Sequence, residues 1–307
     1  MRGHSFARPH FREVVRDDVV MRLSLPRPDP DSISPTAHYT AHVWTRNGLG
    51  GHEFSTARGR LYYEVLRPFM AVSRKLDGPV LEDMLLARHR VLDHLLEKEM
   101  VEGRVNQVIE LASGLSPRGH EFSRRHGSSI TYVETDLADM AERKRNVLRE
   151  VGSLGRHHRV EALDVGSGDG VGELRRLAGA LDPAGGLAVV SEGLLNYLPV
   201  GAVRGLWAGL GGLLNRFEHG IYLSDLHVAA DNRGVLNTVG AKLLGTFVRS
   251  GTHFHFTWAD EAAAALRASG FGSVEPHSPS EFAGRVVDAE RPHADLVRIM
   301  AASPATK

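Results

Sequence analysis

The sequence predicts an α/β protein with a doubly wound, seven-stranded sheet, a helical cap before the sheet and a lid insertion after the fifth strand. Two observations predict this fold. From about residue 105 onward, apolar runs rich in Val, Ile and Leu alternate with amphipathic helical patterns, as in the βαβ units of a parallel sheet. Before residue 105 the spacing is helical, and no strand pattern is visible.

The composition narrows the class of protein. A chain of 307 residues is long enough for a large α/β domain with a cap. The 37 Lys and Arg residues balance the 37 Asp and Glu residues, so the basic excess typical of nucleic-acid binders is missing. No apolar run approaches the roughly 20 residues of a membrane span, and no export leader is evident. The absence of cysteine excludes disulfides and thiolate metal sites. We therefore expect a cytoplasmic enzyme that acts on a small molecule, either as a monomer or as a homo-oligomer.

The N-terminal part is predicted to be an arm followed by helices. Residues 1–34 are polar and contain several prolines (LPRPDPDSISP), which is typical of an extended arm. Helical spacing begins at Pro35, and the first pattern ends at glycines, as a helix C-terminus does. Two longer helical patterns follow at about 56–74 and 80–101. Residues 35–104 are therefore predicted to form the helical cap.

The remainder of the chain, residues 105–307, is predicted to be a Rossmann-like domain. A long connection at 228–256 follows the fifth strand, and connections of this length are usually functional, so we interpret it as a lid. The predicted strands are 106–111, 130–134, 160–163, 187–191, 220–225, 271–276 and 294–301, and the predicted helices lie near 117–126, 137–151, 171–181, 201–217 and 259–269.

Two segments compete for the role of the cofactor loop. LDVGSGDG (163–170) has the glycine spacing of a nucleotide-binding loop. If it followed the first strand, only four strands would remain downstream, and two good strands before it would be left over. If the first strand is VIEL (108–111), the strands number seven. We therefore predict that ASGLSPRG (112–119) is the cofactor loop and that LDVGSGDG follows the third strand.

The loop after the first strand has residues that let a ligand approach the backbone. Ala112, Ser113 and Gly114 are small. Ser116 is a candidate N-cap and Pro117 suits the first position of a helix, so that free N–H groups would face the ligand. An ordinary strand-to-helix turn is the alternative interpretation.

The second predicted strand ends in Glu134-Thr135-Asp136. In Rossmann-type folds an acid at this position binds ribose hydroxyls, and no arginine stands here to receive a 2′-phosphate. We therefore predict that Glu134 and Asp136 bind the cofactor. A solvated acid beside a helix N-terminus is the alternative.

With these motifs the chain resembles the leucine carboxyl methyltransferase family, particularly its bacterial branch of polyketide O-methyltransferases, which have the class I methyltransferase fold. The resemblance runs from about Ser34 to the C-terminus, and its motifs are specific as a set rather than singly. The matching stretches are SPTAHYTAHVWTRNGLG (34–50), LLARHRVLDHLL (85–96), QVIELASGLSPRG (107–119), TYVETDLADMAERKRNVL (131–148), SEGLLNYLP (191–199) and the Gly-Phe step at 270–271.

The resemblance implies a cofactor, S-adenosyl-L-methionine, and methyl transfer to an oxygen, often that of a carboxylate. It implies that Arg88 holds the carboxylate of the cofactor's methionine end and that Glu192 lies near its amino group. It also implies that Gly114 is the loop glycine and that Asp136 binds the ribose.

The resemblance further places Asp164 and Val165 beside the adenine, which would explain the nucleotide-like pattern of their loop. Two departures from the family pattern are visible. The family loop usually reads Gly-Leu-Asp-Thr-Arg, whereas residues 114–118 read GLSPR, and the family's Asp-Leu pair is Asp-Val here. The first departure puts any role of a loop acid in doubt.

Candidates for the substrate site come from the cap and from the loops after the strands. The positive charge on sulfur is lost during methyl transfer, so an apolar wall would favour the reaction, and Trp44, Leu195 and Tyr197 are candidates for it. His38, Tyr39 and His42 belong to the first cap helix, which could close over a substrate.

The need for a base depends on the oxygen that receives the methyl group. A carboxylate, with a pKa near 4, needs none, whereas a phenol would be helped by a base, commonly His, by roughly 10²–10⁴-fold. Of the 17 histidines, His227 is the best placed, just past the fifth strand, and Tyr197 is the second catalytic candidate. The histidines of HYTAH (38–42) and HFH (253–255) lack a third ligand, so no metal is predicted.

These observations lead to three hypotheses about function. The favoured one is an S-adenosyl-L-methionine-dependent O-methyltransferase that acts on a small aromatic or polyketide-like metabolite at a carboxyl group. The second is methylation of a protein C-terminal carboxylate, which would need an open groove. The third is a protein that binds the cofactor without transferring its methyl group.

Overall fold

A computed structural model describes residues 35–232 and 253–305 of the chain. The predicted arm at 1–34 and most of the predicted lid at 228–256 lie outside these residues. The described helices are α1 (Pro35–Arg46), α2 (Ala57–Lys75), α3 (Leu81–Val101), α4 (Arg118–His126), α5 (Ala138–Glu150), α6 (Gly170–Ala178), α7 (Val200–Leu214), α8 (Ala229–Asn232) and α9 (Ala259–Ala268). The strands are β1 (Gln107–Leu111), β2 (Thr131–Asp136), β3 (His158–Ala162), β4 (Gly186–Ser191), β5 (His219–Leu226), β6 (Phe271–His277) and β7 (Arg298–Pro304).

The seven strands form one sheet in the order β3-β2-β1-β4-β5-β7-β6. Strands β1 to β5 pair in parallel, while β7 runs antiparallel between β5 and β6. The predicted doubly wound fold is confirmed, with β1 inside the sheet between β2 and β4, and β3 as an outer strand. The loop at 112–117 therefore follows the first strand and the segment LDVGSGDG follows the third, as predicted.

Helices cover both faces of the sheet. Helices α6, α7 and α9 pack on one face, where Trp207 is fully buried. The C-terminal half of α3 packs on the other face through Val91, Leu92 and Leu96, and Phe122 of α4 lies beside it. Strands β1 and β4 are buried along their whole length, which fits the apolar run LAVV of β4, whereas β1 also buries Gln107 and Glu110.

The helical cap is built from α1, α2 and the N-terminal half of α3. Its core contains Tyr39, Trp44, Tyr63 and Leu86, all buried. A second contact joins the cap to the sheet edge, because Ala41 of α1 packs against Leu115 of the cofactor loop. The cap therefore lies directly over the loop that follows β1.

The last strand differs from its prediction. It was expected at 294–301, but Ala294–Leu296 form a 3₁₀ turn and the strand begins at Arg298. The turn follows His293, whose φ of 62° is in the left-handed region, so the extended conformation cannot begin at that point.

Within the described ranges, none of the helices has the length and apolar content needed to cross a membrane.

The contact between α1 and α2 depends on a glycine. A Cβ atom on Gly59 would lie 2.1 Å from the carbonyl oxygen of His38. We expect Gly59→Ala to lower the free energy of unfolding by about 1–3 kcal/mol, because the helices must separate to admit the methyl group. Urea denaturation followed by circular dichroism would measure this.

The matched control is Gly205→Ala in α7, where a Cβ would meet no atom within 4 Å. Alanine should raise the stability there by up to about 1 kcal/mol through its helix propensity. Equal effects of the two substitutions would contradict the close packing of α1 on α2.

Candidate functional site

The predicted cofactor residues lie in a row along the carboxyl-terminal ends of the strands, which we call the sheet edge. Asp164 follows β3, Asp136 ends β2, Gly114 follows β1 and Glu192 follows β4, and these strands are neighbours in that order. Three strand intervals of about 4.8 Å give the row a length of about 14 Å. One extended ligand can therefore reach all four positions.

The loop after β1 holds an unusual backbone conformation. Ala112 and Gly114 have φ angles of 51° and 52°, and for alanine this left-handed conformation costs roughly 1–2 kcal/mol. The N–H of Ser113 donates to the carbonyl of Thr135 at 2.9 Å. The hydroxyl of Ser113 is buried and has no partner among the described residues, so it could bond to a ligand.

Asp136 joins the end of β2 to this loop. Its carboxylate accepts the N–H of Gly114 at 2.7 Å and the N–H of Leu137 at 2.8 Å. Burial raises the pKa of Asp136 more than these two donors lower it. Each oxygen has a further lone pair for a ligand hydroxyl.

Glu134 requires a correction, because the structure buries it completely. It forms an ion pair with Lys144, and its Oε1 lies 2.7 Å from Nε2 of His158. Burial raises the pKa of Glu134, but Lys144 and His158 lower it by more than burial raises it. The pKa therefore lies below its usual value. We therefore remove Glu134 from the candidate cofactor contacts.

Lys144 supports the cofactor loop from inside the protein. This fully buried side chain donates to the carbonyl of Ser116 at 2.5 Å and to that of Gly114 at 3.4 Å. The pair with Glu134 thus holds the carbonyl side of the loop and leaves its other side for a ligand.

Arg88 and Glu192 meet at the end of β4. Nε of Arg88 donates to Oε1 of Glu192 at 2.9 Å, and Nη1 donates to Asp225 at 3.0 Å. The other oxygen of Asp225 accepts the N–H of Gly193 at 2.6 Å. The side chains of Arg88, Glu192 and Asp225 are all under 10% exposed. The predicted methionine-end residues are thus in direct contact.

A second guanidinium extends this cluster into the core. Arg118 is fully buried and donates to Glu192 at 2.7 Å, to Glu110 at 2.8 Å and to Asp93 at 2.5 Å. His89 lies 2.8 Å from the same Glu192 oxygen. Burial raises the pKa of Glu192, but His89, Arg118 and Arg88 lower it more, so the group is ionised.

The loop after β3 forms the far end of the row. Oδ1 of Asp164 accepts the N–H of Gly166 at 2.9 Å and closes a turn, while Val165 is buried. A cavity of about 420 Å³ lies between this loop and helices α6 and α7. Leu206 and Val171 contribute to its lining.

The predicted substrate residues of α1 have other partners in the structure. His38, Tyr39 and Trp44 are buried within the cap. His38 bonds to Thr56 at 2.9 Å, and burial lowers its pKa from 6.5 to about 4. Trp44 packs on His89, with 4.5 Å between ring centroids. These three residues therefore build the cap instead of presenting a free surface to a substrate.

Two further candidates from the sequence are half-buried: His42 on α1 and Tyr197 in the loop after β4. The ring of His42 bonds to the hydroxyl of Ser55 at 2.8 Å, which points it toward the loop before α2. Tyr197 is one of the groups that raise the pKa of Arg88, after Asp225 and Glu192. Of these two, Tyr197 is the one placed at the end of β4.

His227 lies at the end of β5, as its sequence position predicted. Its Nδ1 is 2.9 Å from the carbonyl oxygen of Leu296. No group of three or more potential ligands that could hold a metal is present in residues 35–232 and 253–305.

Several residues of the charged cluster were missed by the sequence analysis. Asp225 ends a strand as Asp136 does, so the same positional argument would have found it. Arg118 lies within the motif that carries the family resemblance. His89, Glu110 and Asp93 gave no separate signal, because only the folding of α3 onto β1 brings them together.

The architecture is shared with solved structures from two bacteria. A Thermobifida fusca protein provisionally named a methyltransferase superposes with a TM-score of 0.60 at 16% identity, over 92% of this chain and 100% of that one. A DUF574 family protein from Streptomyces avermitilis gives 0.57 at 13% identity, over 89% and 98%. The chain has the class I methyltransferase fold.

The chain belongs to the leucine carboxyl methyltransferase family, whose family model matches residues 52–210. The match is more than half of the chain. It includes Arg88, Asp136 and Glu192, and it ends before Asp225 and His227.

Two curated relatives carry provisional names as S-adenosyl-L-methionine-dependent methyltransferases. The one from Mycolicibacterium paratuberculosis is 34% identical over 134 residues, which are 43% of this chain and 42% of that protein. The one from Frankia alni is 32% identical over 129 residues, 42% of this chain and 43% of that protein. The aligned part thus spans about two fifths of the length of these relatives.

The buried pair beneath the cofactor loop can be tested by stability. We expect Lys144→Met to lower the free energy of unfolding by about 3–5 kcal/mol, because the carboxylate of Glu134 is left buried without its ammonium. The double variant with Glu134→Gln should be more stable than Lys144→Met alone. Urea denaturation of both variants would measure this, and a double variant no more stable than the single one would contradict the pairing.

The same pair predicts a pH dependence. Because the pKa of folded Glu134 lies below its ordinary value of 4.5, the unfolded chain binds the proton first as the pH falls. The pair therefore contributes stability above pH 4.5 and loses it as the pH falls toward the folded pKa. The stability advantage of the wild-type chain over the double variant should shrink below pH 4.5, and a constant difference would contradict it.

Proposed function

We propose that this chain is an S-adenosyl-L-methionine-dependent O-methyltransferase acting on a small aromatic or polyketide-like molecule. The observation that carries the proposal is the contact of Arg88 with Glu192 and Asp225 at the end of β4, beside the left-handed loop at 112–114. A guanidinium and carboxylates side by side suit the carboxylate and the ammonium of an amino acid.

The residues along the sheet edge fit this cofactor. Asp136 has lone pairs for the ribose hydroxyls, and the orphaned hydroxyl of Ser113 offers a further hydrogen bond. Asp164 and Val165 lie at the end of the row for the adenine. A Cβ on Gly114 would have only Ala37 within 4 Å, at 3.9 Å, so the backbone is open to close approach.

The charge of the buried cluster also suits a cation. The two guanidinium groups, Arg88 and Arg118, contact four carboxylates: Glu192, Asp225, Glu110 and Asp93. Glu192, whose pKa lies below its ordinary value, is ionised, and its carboxylate can attract a ligand that carries an ammonium and a sulfonium.

Methyl transfer requires mainly that the accepting oxygen and the methyl group are correctly oriented. When bound, S-adenosyl-L-methionine supplies an electrophilic methyl group on a positively charged sulfur. Arg88 and Glu192 would hold the amino-acid end, and the cap would exclude water and place the accepting oxygen in line with the methyl group. Such orientation can supply roughly 7–11 kcal/mol of the barrier.

The cap supports a small substrate over a protein tail. Helix α1 packs on the cofactor loop through Ala41 and Leu115, a contact that supports a pocket closed on this side over an open groove. Because the family is named for methylation of a leucine carboxyl group, methylation of a protein C-terminal carboxylate is the second candidate function. Incubation with cofactor labelled in the methyl group distinguishes them, because label enters small aromatic acceptors in one case and a protein in the other. Binding without any transfer of label would support the third hypothesis.

The assignment of Asp136 predicts a coupling to the ribose. We expect Asp136→Ala to weaken S-adenosylhomocysteine binding at least tenfold, because a charged acceptor is lost. The 2′-deoxy analogue should bind the wild-type chain more weakly than the parent ligand does, but should lose little further affinity in the variant. Titration calorimetry would measure all four affinities.

The control is Asp139→Ala, which removes the same charge from an exposed position three residues later. Its affinities should match those of the wild-type chain. If Asp136→Ala and the 2′-deoxy substitution act additively, Asp136 does not contact that hydroxyl.

A further inference from the structure

The ring of His227 is fixed in one tautomer. Its Nδ1 lies 2.9 Å from the carbonyl oxygen of Leu296, and a carbonyl oxygen can only accept. Nδ1 therefore carries the hydrogen, and in the neutral ring the lone pair is on Nε2. None of the described residues forms a hydrogen bond with Nε2 of His227. This atom is also not among the fully buried polar atoms that lack a partner.

The backbone of His227 is held as firmly as its ring. Oδ1 of Asn196 accepts the N–H of His227 at 2.9 Å, and Nδ2 of Asn196 donates to its carbonyl at 3.1 Å. Asn196 is buried and follows Glu192 by four residues. One side-chain amide thus fixes His227 to the loop that carries the cofactor's acid.

His227 lies two residues after Asp225, whose carboxylate accepts a hydrogen bond from Arg88 at 3.0 Å, so the ring follows the strand end that carries the proposed methionine-end residues. Asp225 of β5 and Arg88 of α3 both act on it, as does Asp231 of α8, which is paired with Arg298 of β7. Burial lowers the pKa of His227, Asp225 and Asp231 raise it, Arg88 lowers it, and the net pKa is below 6.5. The ring is therefore neutral at neutral pH, with Nε2 able to accept a proton.

We propose that His227 is the catalytic base of the methyl transfer and that the accepting group is accordingly a hydroxyl, phenolic or enolic, and not a carboxylate. This inference rests on the proposed function and replaces the carboxyl group expected from the sequence. A carboxylate is already ionised at neutral pH and has no proton for the base to remove.

The step balances as follows. Nε2 of His227 takes the hydroxyl proton while the oxygen forms a bond to the methyl carbon. The carbon–sulfur bond breaks, and its electron pair stays on sulfur, which becomes a neutral thioether. The products are a methyl ether, S-adenosylhomocysteine and an imidazolium that returns its proton to water.

The tautomer can be tested without any ligand. A ¹⁵N–¹H spectrum of the imidazole nitrogens, with the His227 signals identified by their loss in His227→Asn, should show a neutral ring protonated on Nδ1 at pH 7. A ring protonated on Nε2, or an imidazolium, would overturn the proposal.

The activity test uses matched acceptors: 2-naphthol and 4-methylphenol against 2-naphthoate and 4-methylbenzoate, with methyl-labelled cofactor. His227→Asn keeps an amide that can donate to Leu296 but has no base. Its kcat with the hydroxyl acceptors should fall by roughly 10²–10⁴-fold at pH 7. The deficit should shrink as the pH approaches the acceptor's own pKa, about 10 for a simple phenol, because the oxygen then ionises unaided.

The control is His255→Gln, since His255 also donates to a backbone carbonyl, that of Leu195 at 3.1 Å. It should transfer methyl groups within twofold of the wild-type rate. Calorimetry with S-adenosylhomocysteine should give both variants the wild-type affinity, and a wild-type chain that binds no cofactor would refute the proposed function itself. With binding intact, the inference about His227 fails if only carboxylates are methylated, if no hydroxyl probe is methylated, or if the His227→Asn deficit is absent or independent of pH.

Discussion

The arrangement of the site depends on one buried carboxylate, that of Glu192. Its two oxygens are shared by Arg88 of α3, Arg118 of α4 and His89 of α3, all buried. Removing one charge from such a cluster leaves the others uncompensated in a poorly solvated place, at a cost of several kcal/mol. The cap, the helix after the cofactor loop and the end of β4 are therefore held in one geometry by the same group that is proposed to meet the ligand.

The opposite side of the cofactor loop is held by independent contacts. Lys144 bonds to two loop carbonyls from the interior, and Asp136 accepts the N–H of Gly114. The loop is thus supported through both its carbonyls and its amides before any ligand arrives. Such support can maintain Ala112 in a left-handed conformation, which would otherwise relax.

The elements of this fold were predictable because their signals are local. Buried parallel strands such as β4, with LAVV at residues 187–190, contain continuous apolar runs, and Pro117 lies directly before the helix that follows the cofactor loop. The strand count placed ASGLSPRG after the first strand and LDVGSGDG after the third, and both positions are confirmed. The predicted start of the last strand was wrong because His293 has a left-handed conformation that a glycine would have indicated in the sequence, and no glycine is present at this position.

Depth and direction were harder to predict than position. Glu134 and Asp136 are two residues apart on one strand, yet the first lies under α4 and the second at the strand end, and nothing in the sequence distinguishes the depths. His38, Tyr39 and Trp44 were correctly placed on a cap helix, but the face turned toward α2 could not be known from α1 alone. The contacts of Arg118 join residues up to 74 positions apart, and such contacts exist only in the folded chain.

Helix α3 has a mechanical consequence for access to the site. It is a single rod of 21 residues, Leu81–Val101, whose second half is packed on the sheet through Leu92 and Leu96 while its first half carries Arg88 and His89. A straight helix cannot swing out at one end while the other stays embedded unless its own hydrogen-bond ladder breaks. Ligands must therefore enter the site without a movement of α3, and Arg88 keeps its position while they enter and leave.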